Sequence, residues 1–110
     1  MKKYAVRGTL EAKADLLALC RYVAANDSKA KANHLLDNIE KAMAALENMP
    51  LRGACPPELE RVGVFEYREV FYKPYRIIYQ VVGRDVFVLC ILDGRRRLTD
   101  LLQERLLRPD

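Results

Sequence analysis

The sequence has little of what most often announces chemistry. It holds one histidine, His34, and three cysteines, and no run approaches the ~18 consecutive apolar residues of a membrane span. Cys20, Cys55 and Cys90 lie far apart without Cys-x-x-Cys spacing. Their odd number argues against a disulfide framework, and their scatter argues against a sulfur-ligated metal site. Cys20 and Cys90 sit among apolar residues and read as small core residues of a reduced protein. The five glycines are scattered through turns in neither the P-loop nor the dinucleotide-binding pattern, so no cofactor is expected. Lys and Arg exceed Asp and Glu only 19 to 15, and a net charge of +4 permits an acidic partner without requiring one. Lys2 and Lys3 are followed by Tyr4-Ala5-Val6-Arg7, which interrupts any apolar signal core. The expectation is a soluble, cytoplasmic protein with no membrane association.

What is present is a chain of 110 residues, half apolar and a third charged, expected to form one domain over residues 1–110. Strand chemistry is dense only between Phe65 and Gly94. There, three runs rich in β-branched and aromatic residues are separated by Lys73-Pro74 and Gly83-Arg84, the pattern of an antiparallel meander. Alternation puts Phe65, Tyr67, Glu69 and Phe71 on one face of the first run. In the second, Tyr75, Ile77, Tyr79 and Val81 oppose Arg76, Ile78 and Gln80. The third, Val86 to Leu92, is apolar on both faces and so predicts a central or well-covered strand.

Before the meander, Lys3 to Arg7 predicts a short strand, and Thr9 is placed to cap a helix from Leu10 to about Ala25 with Leu16, Leu19, Cys20 and Val23 inward. Asp27 or Ser28 can cap a second helix whose stripe of Leu35, Leu36, Ile39, Met43 and Leu46 runs to about Asn48, before Pro50. Leu51 to Gly63 carries two prolines and two glycines and predicts a loop with one turn of helix. Leu98, Leu101, Leu102 and Leu106 form a short amphipathic tail that stops before Pro109. The fold class that follows is α+β: a helical hairpin packed on a mainly antiparallel, twisted four-stranded sheet, with a short C-terminal helix. The other sheet face is expected to be partly polar, carrying Arg76 and Gln80.

Arg76 interrupts a hydrophobic strand. Its guanidinium suits a phosphate or carboxylate; equally, it is a strand arginine whose stem covers apolar surface and whose head meets Glu66 or Glu69. Arg95, Arg96 and Arg97 follow the last strand and can stabilise phosphate charge, dock on an acidic protein surface, or simply be solvated. His34 lies far in sequence from these arginines and reads as a surface residue of the second helix. Tyr72, Tyr75 and Tyr79 can stack on bases but read more simply as packing elements.

Tyr75-Arg76-Ile77-Ile78-Tyr79-Gln80-Val81 resembles the Tyr-Arg-hydrophobic-hydrophobic-Tyr-x-Val strand of the RelE/ParE superfamily, the toxins of bacterial type II toxin-antitoxin pairs. Pro57-Glu58-Leu59, Tyr67-Arg68-Glu69 and Leu92-Asp93-Gly94-Arg95-Arg96 resemble its flanking pattern, and the order of elements is also the family's. The resemblance implies a growth-inhibiting, plasmid-stabilising toxin and a cognate ParD- or RelB-like antitoxin with an acidic, amphipathic tail. The target would be DNA gyrase in the ParE manner or, alternatively, the ribosome in the RelE manner; a member that keeps antitoxin binding without toxicity is a third reading. In the RNA-cleaving branch Arg76 matches the arginine at the scissile phosphate, Arg96 matches a second functional arginine, and Glu58 is a conceivable base. That branch also has lysines on the second strand where Tyr67 and Glu69 stand here, and an aromatic or histidine acid/base where this chain has Leu102, a side chain that can move no proton. Those departures favour gyrase binding, with Arg95, Arg96 and Arg97 as target-binding residues, and leave enzymatic activity open. The oligomeric state is not specified.

Overall fold

The computed structural model describes residues 3–94 and 97–106, without the side chains of Leu102 and Leu106. Strand β1 spans Ala5–Gly8, helix α1 Leu10–Asn26 and helix α2 Lys29–Ala44, followed by a 3-10 turn at Ala45–Glu47. Helix α3 is the single turn Pro57–Glu60. Strands β2 (Arg68–Tyr72), β3 (Tyr75–Val82) and β4 (Asp85–Asp93) make the meander, and α4 spans Leu98–Leu106. No helix among the described residues is long and apolar enough to cross a membrane.

Local chemistry sets most of these ends. The Thr9 hydroxyl accepts from the Ala12 N–H at 3.1 Å and the Ser28 hydroxyl from the Lys31 N–H at 3.1 Å, so each helix of the hairpin starts on a side-chain cap. Of the two cap candidates before α2, Ser28 is the one used. Gly83 turns the β3–β4 hairpin at φ +60°, where a side chain would be strained. Three boundaries differ from the sequence expectation. Strand β1 is shifted to Ala5–Gly8, and α2 gives way to the 3-10 turn three residues before Asn48. Strand β2 begins only at Arg68; Phe65 is exposed, because alternation persists where no neighbouring strand is available to pair.

The sheet order is β1-β4-β3-β2, with β1 parallel to β4 and the other pairs antiparallel. Strand β4 is therefore central, as its two apolar faces require. On the helix side, Ala12, Leu35, Ile39 and Leu46 pack with Ile77, Tyr79, Val86, Val88 and Ile91. Burying each large side chain contributes about 1.5–3 kcal/mol over leaving it exposed. Leu36 lies outside this cluster and is only half-buried, whereas its neighbour Leu35 is fully inside. Tyr72 and Tyr75 pack against the same core and Tyr79 is buried in it, so the tyrosines serve packing.

The opposite face carries Arg76, as expected, but much of it is apolar and covered. Leu59, Tyr67, Ile78, Cys90, Leu92, Leu98 and Leu101 form a second apolar cluster there, with α3 and α4 as its cover. A register shift makes both cores possible. Ile78 pairs with Cys90 but Tyr79 with Val88, leaving Leu89 as the extra residue of a bulge. Val88 thus joins the helix-side core while Cys90 joins the other, although strict alternation would put them on one face. The polar groups at the bulge are taken up by side chains. Arg105 of α4 donates to the Leu89 carbonyl at 3.0 Å, and Asp15 of α1 accepts from the Ile91 N–H at 3.0 Å. Arg105 also donates to Asp15 at 2.6 and 3.0 Å, locking α4 and α1 to the same point of β4.

Candidate functional site

Arg76 lies on the second face of β3, opposite Phe71 of β2, and is only 9% exposed. A guanidinium at that depth needs anionic partners, and two elements deliver them. Strand β2 presents Glu69, 5% exposed, to Arg76 Nε at 2.7 Å. Helix α3, opened by Pro57 in the position where a missing N–H costs nothing, presents Glu58, whose two oxygens accept from Nη1 at 2.6 Å and Nη2 at 2.9 Å. The ionic head of Arg76 is thereby enclosed between two carboxylates.

The electrostatics follow from burial. The hydrogen bond from Arg76 holds the Glu58 carboxyl below the usual carboxylate range. Burial pushes the Glu69 carboxyl up and outweighs its own bond from Arg76. The Arg76 guanidinium is raised, first by its bond to Glu58. Glu58 is therefore a carboxylate engaged with a cation, a weak proton acceptor at neutral pH, and Arg76 has no donor face directed at a ligand without displacing Glu58.

Around this cluster lies an open groove of about 440 Å³ whose walls include Pro57, Arg61, Phe71, Lys73 and Pro74, with Gly94 at one end. The Gly94 N–H donates to the Pro74 carbonyl at 2.7 Å, and a Cβ on Gly94 would stand 2.8 Å from that same oxygen. Glycine is needed there so that the end of β4 can close on the Lys73–Pro74 turn. A second anchor holds the loop before α3. Gly53 donates to the buried Tyr79 hydroxyl at 3.0 Å, Arg68 donates to the Leu51 and Gly53 carbonyls at 3.1 and 2.7 Å, and Ala54 bridges to Glu69.

Of the residues singled out in the sequence, the structure brings Arg76 and Glu58 into direct contact. Of the two carboxylates the sequence offers as partners of a structural Arg76, the head meets Glu69 and not Glu66, and Glu58 supplies the two-pronged contact. Arg97 is exposed beside Asp100 at 3.6 Å, while Arg95 and Arg96 lie outside the described residues, as does the side chain of Leu102. His34 is on the exposed side of α2, with Asn38 donating to its carbonyl at 2.8 Å. Sequence reasoning missed the Asp15–Arg105 clamp, which joins residues 90 apart and left no local pattern. It also missed Arg61 and Lys73, whose only signal was their nearness to Pro57-Glu58 and Pro74. Among the described residues no three His, Cys, Asp or Glu side chains cluster as metal ligands would.

Residues 6–98 match the family described as the ParE toxin of the type II toxin-antitoxin system parDE. The chain belongs to the ParE toxin family. Toxin ParE3 of Caulobacter vibrioides is 33% identical over 91 residues, covering 83% of this chain and 87% of that protein. The fold is shared with the chromosomal ParDE system from P. aeruginosa, at a TM-score of 0.69 and 22% identity over 82% of this chain and 95% of that one. It is also similar to the toxin-antitoxin complex RelBE2 from Mycobacterium tuberculosis, with a TM-score of 0.58 and 25% identity over 84% of this chain and 93% of the other. This ParE-family chain is thus a toxin of a type II toxin-antitoxin system, on a superfamily fold shared by the ParE and RelE branches.

Proposed function

We propose that this toxin arrests growth in the cytoplasm by binding DNA gyrase, and that a cognate ParD-like antitoxin neutralises it. The observation that carries the proposal is the match of residues 6–98 to the ParE family. The geometry at Arg76 supports it. An in-line RNA cleavage needs a phosphate-binding cation, a base and an acid. Here the cation is bound to two carboxylates, the candidate base is held ionised by that cation, and the position of the acid is a leucine. On this reading toxicity resides in a binding surface, and Arg95, Arg96 and Arg97, which precede α4 in the sequence, are the residues proposed to meet the target.

Expression in cells tests the proposal. Gyrase-dependent DNA breaks with SOS induction, and mRNA left intact at ribosomal A sites, are expected. Rapid codon-phased mRNA cleavage without DNA damage would assign the toxin to the ribonuclease alternative. Growth unaffected by well-expressed, folded toxin would mean that toxicity has been lost.

A further inference from the structure

We infer that a hollow framed by Tyr4, Met49, Leu51 and Arg52, with Arg84 beside it, is a second contact with the protein target. It receives one protruding apolar side chain of a folded, acidic surface and sets Arg52 and Arg84 on the carboxylates around it. The inference rests on the target reading above and adds a surface to it. Tyr4, Met49, Pro50, Leu51 and Arg52 line an open hollow of about 360 Å³. Pro50 is buried, whereas Met49 and Leu51 are 59% and 61% exposed. Two aliphatic side chains left open around a buried proline gain from a partner's apolar group, and methionine adapts to its shape. The frame is set before any partner arrives. The Tyr4 N–H donates to the Glu47 carbonyl at 2.9 Å, the Ala5 N–H to the Arg84 carbonyl at 2.9 Å and the Arg52 N–H to the Met49 carbonyl at 3.3 Å. Arg68 holds the Leu51 carbonyl from the sheet.

The charge at this end of the sheet is unbalanced in one direction. The Arg84 guanidinium lies over the Tyr4 ring, 5.1 Å from its centre, and Arg52 forms one wall of the hollow. Both arginines are exposed, and neither forms an ion pair with a described residue. The acidic side chains of Glu47 and Asp85 already face Lys3 at 3.9 Å and Arg7 at 3.4 Å. The surface therefore suits carboxylates around an apolar centre. A nucleic acid fits it less well, because Arg84 covers the Tyr4 ring and aliphatic Met49 and Leu51 offer bases no stacking platform. A tail that folds on binding gains its affinity along an extended groove, whereas a single socket suits one side chain standing out from a folded protein. Arg84 immediately precedes β4 and Arg97 lies beyond its end, so a target that meets both spans the strand, about 30 Å at roughly 3.3 Å per residue.

The test measures the affinity of the purified full-length toxin for gyrase, for the full-length antitoxin from the adjacent gene, and for plasmid DNA alone. Arg52→Glu with Arg84→Glu is expected to weaken gyrase binding by about tenfold to a hundredfold and to reduce its salt dependence. Met49→Ser with Leu51→Ser is expected to weaken it by about tenfold. Both variants are expected to keep wild-type affinity for the antitoxin, which also shows that they fold. Lys29→Glu with Lys73→Glu, exposed at the start of α2 and in the β2–β3 turn, is the charge control and is expected to bind gyrase as wild type does. Unchanged gyrase affinity in the patch variants, equal loss in the control, or a loss that falls equally or instead on antitoxin or DNA binding overturns the inference while the target reading stands. No binding of the wild-type toxin to gyrase overturns both.

Discussion

Arg76 grips Glu58 with two parallel hydrogen bonds, 2.6 and 2.9 Å long, across 18 residues of sequence. That contact decides how Arg76 should behave on mutation. It ties α3 to the sheet and, with Glu69 on the remaining side, makes the guanidinium a structural ion. Arg76→Ala leaves Glu69 buried without a cation and is expected to cost about 3–5 kcal/mol of stability in urea denaturation. Arg76→Lys recovers only part, since an ammonium lacks the planar fork that meets both carboxylates. A loss below about 1 kcal/mol would place the cluster among screened surface pairs instead.

The same cluster makes acid stability depend on Glu58. Its carboxyl is lowered in the folded state, so its contribution is present above the ordinary pKa of about 4.3 and is lost as pH falls through the folded value. Glu69 has the opposite sign: burial raises its pKa, and stability falls as pH climbs from the ordinary value to the raised one. The stability difference between wild type and Glu58→Gln is therefore expected to be larger near pH 7 than near about pH 3. A pH-independent difference in urea midpoints would contradict the assignment.

Leu36 of α2 and Leu46 of the 3-10 turn share one apolar stripe in the sequence but differ in burial. Leu46→Ala removes a fully buried side chain and is expected to cost about 2–5 kcal/mol, while Leu36→Ala, outside the core cluster, should cost less than half as much. Thermal unfolding of the two variants in parallel measures the contrast.

Arg105 is expected to control the C-terminal helix. Arg105→Ala removes its bonds to Asp15 and the Leu89 carbonyl, at a cost of about 3 kcal/mol, and should make the segment after Gly94 the first site of limited proteolysis. Deleting the segment is a poor test of target binding, because Leu98 and Leu101 cover Tyr67, Ile78, Cys90 and Leu92. Arg97→Glu, at an exposed position, probes the proposed target surface without that loss.

Periodicity and capping carried most of the fold. Thr9 and Ser28 start helices where a hydroxyl precedes an apolar stripe, and the double-faced run of β4 correctly announced a central strand. The bulge at Leu89 was not legible, because Val88 and Cys90 are both small and apolar and either alternation fits the composition. Unseen with it were the second core and the Asp15–Arg105 clamp, which exist only once β4 has shifted register. At the candidate site Arg76 stood out as a charge in a hydrophobic strand, and Glu69 as one of two candidate partners for it. The joint grip of Glu58 and Glu69 needed the α3 turn placed against the sheet, a relationship no local pattern encodes.

The most direct measurement of the central claim, that this toxin acts by binding gyrase and not through Arg76 and Glu58 chemistry, is a purified assay of wild type and Glu58→Gln. Each is incubated with gyrase, ATP and supercoiled plasmid, and in parallel with programmed ribosomes. The expected result is protein-linked DNA breaks from both proteins to the same extent and intact mRNA. Absence of linked breaks, with mRNA cut at the ribosomal A site by wild type and not by Glu58→Gln, would contradict it.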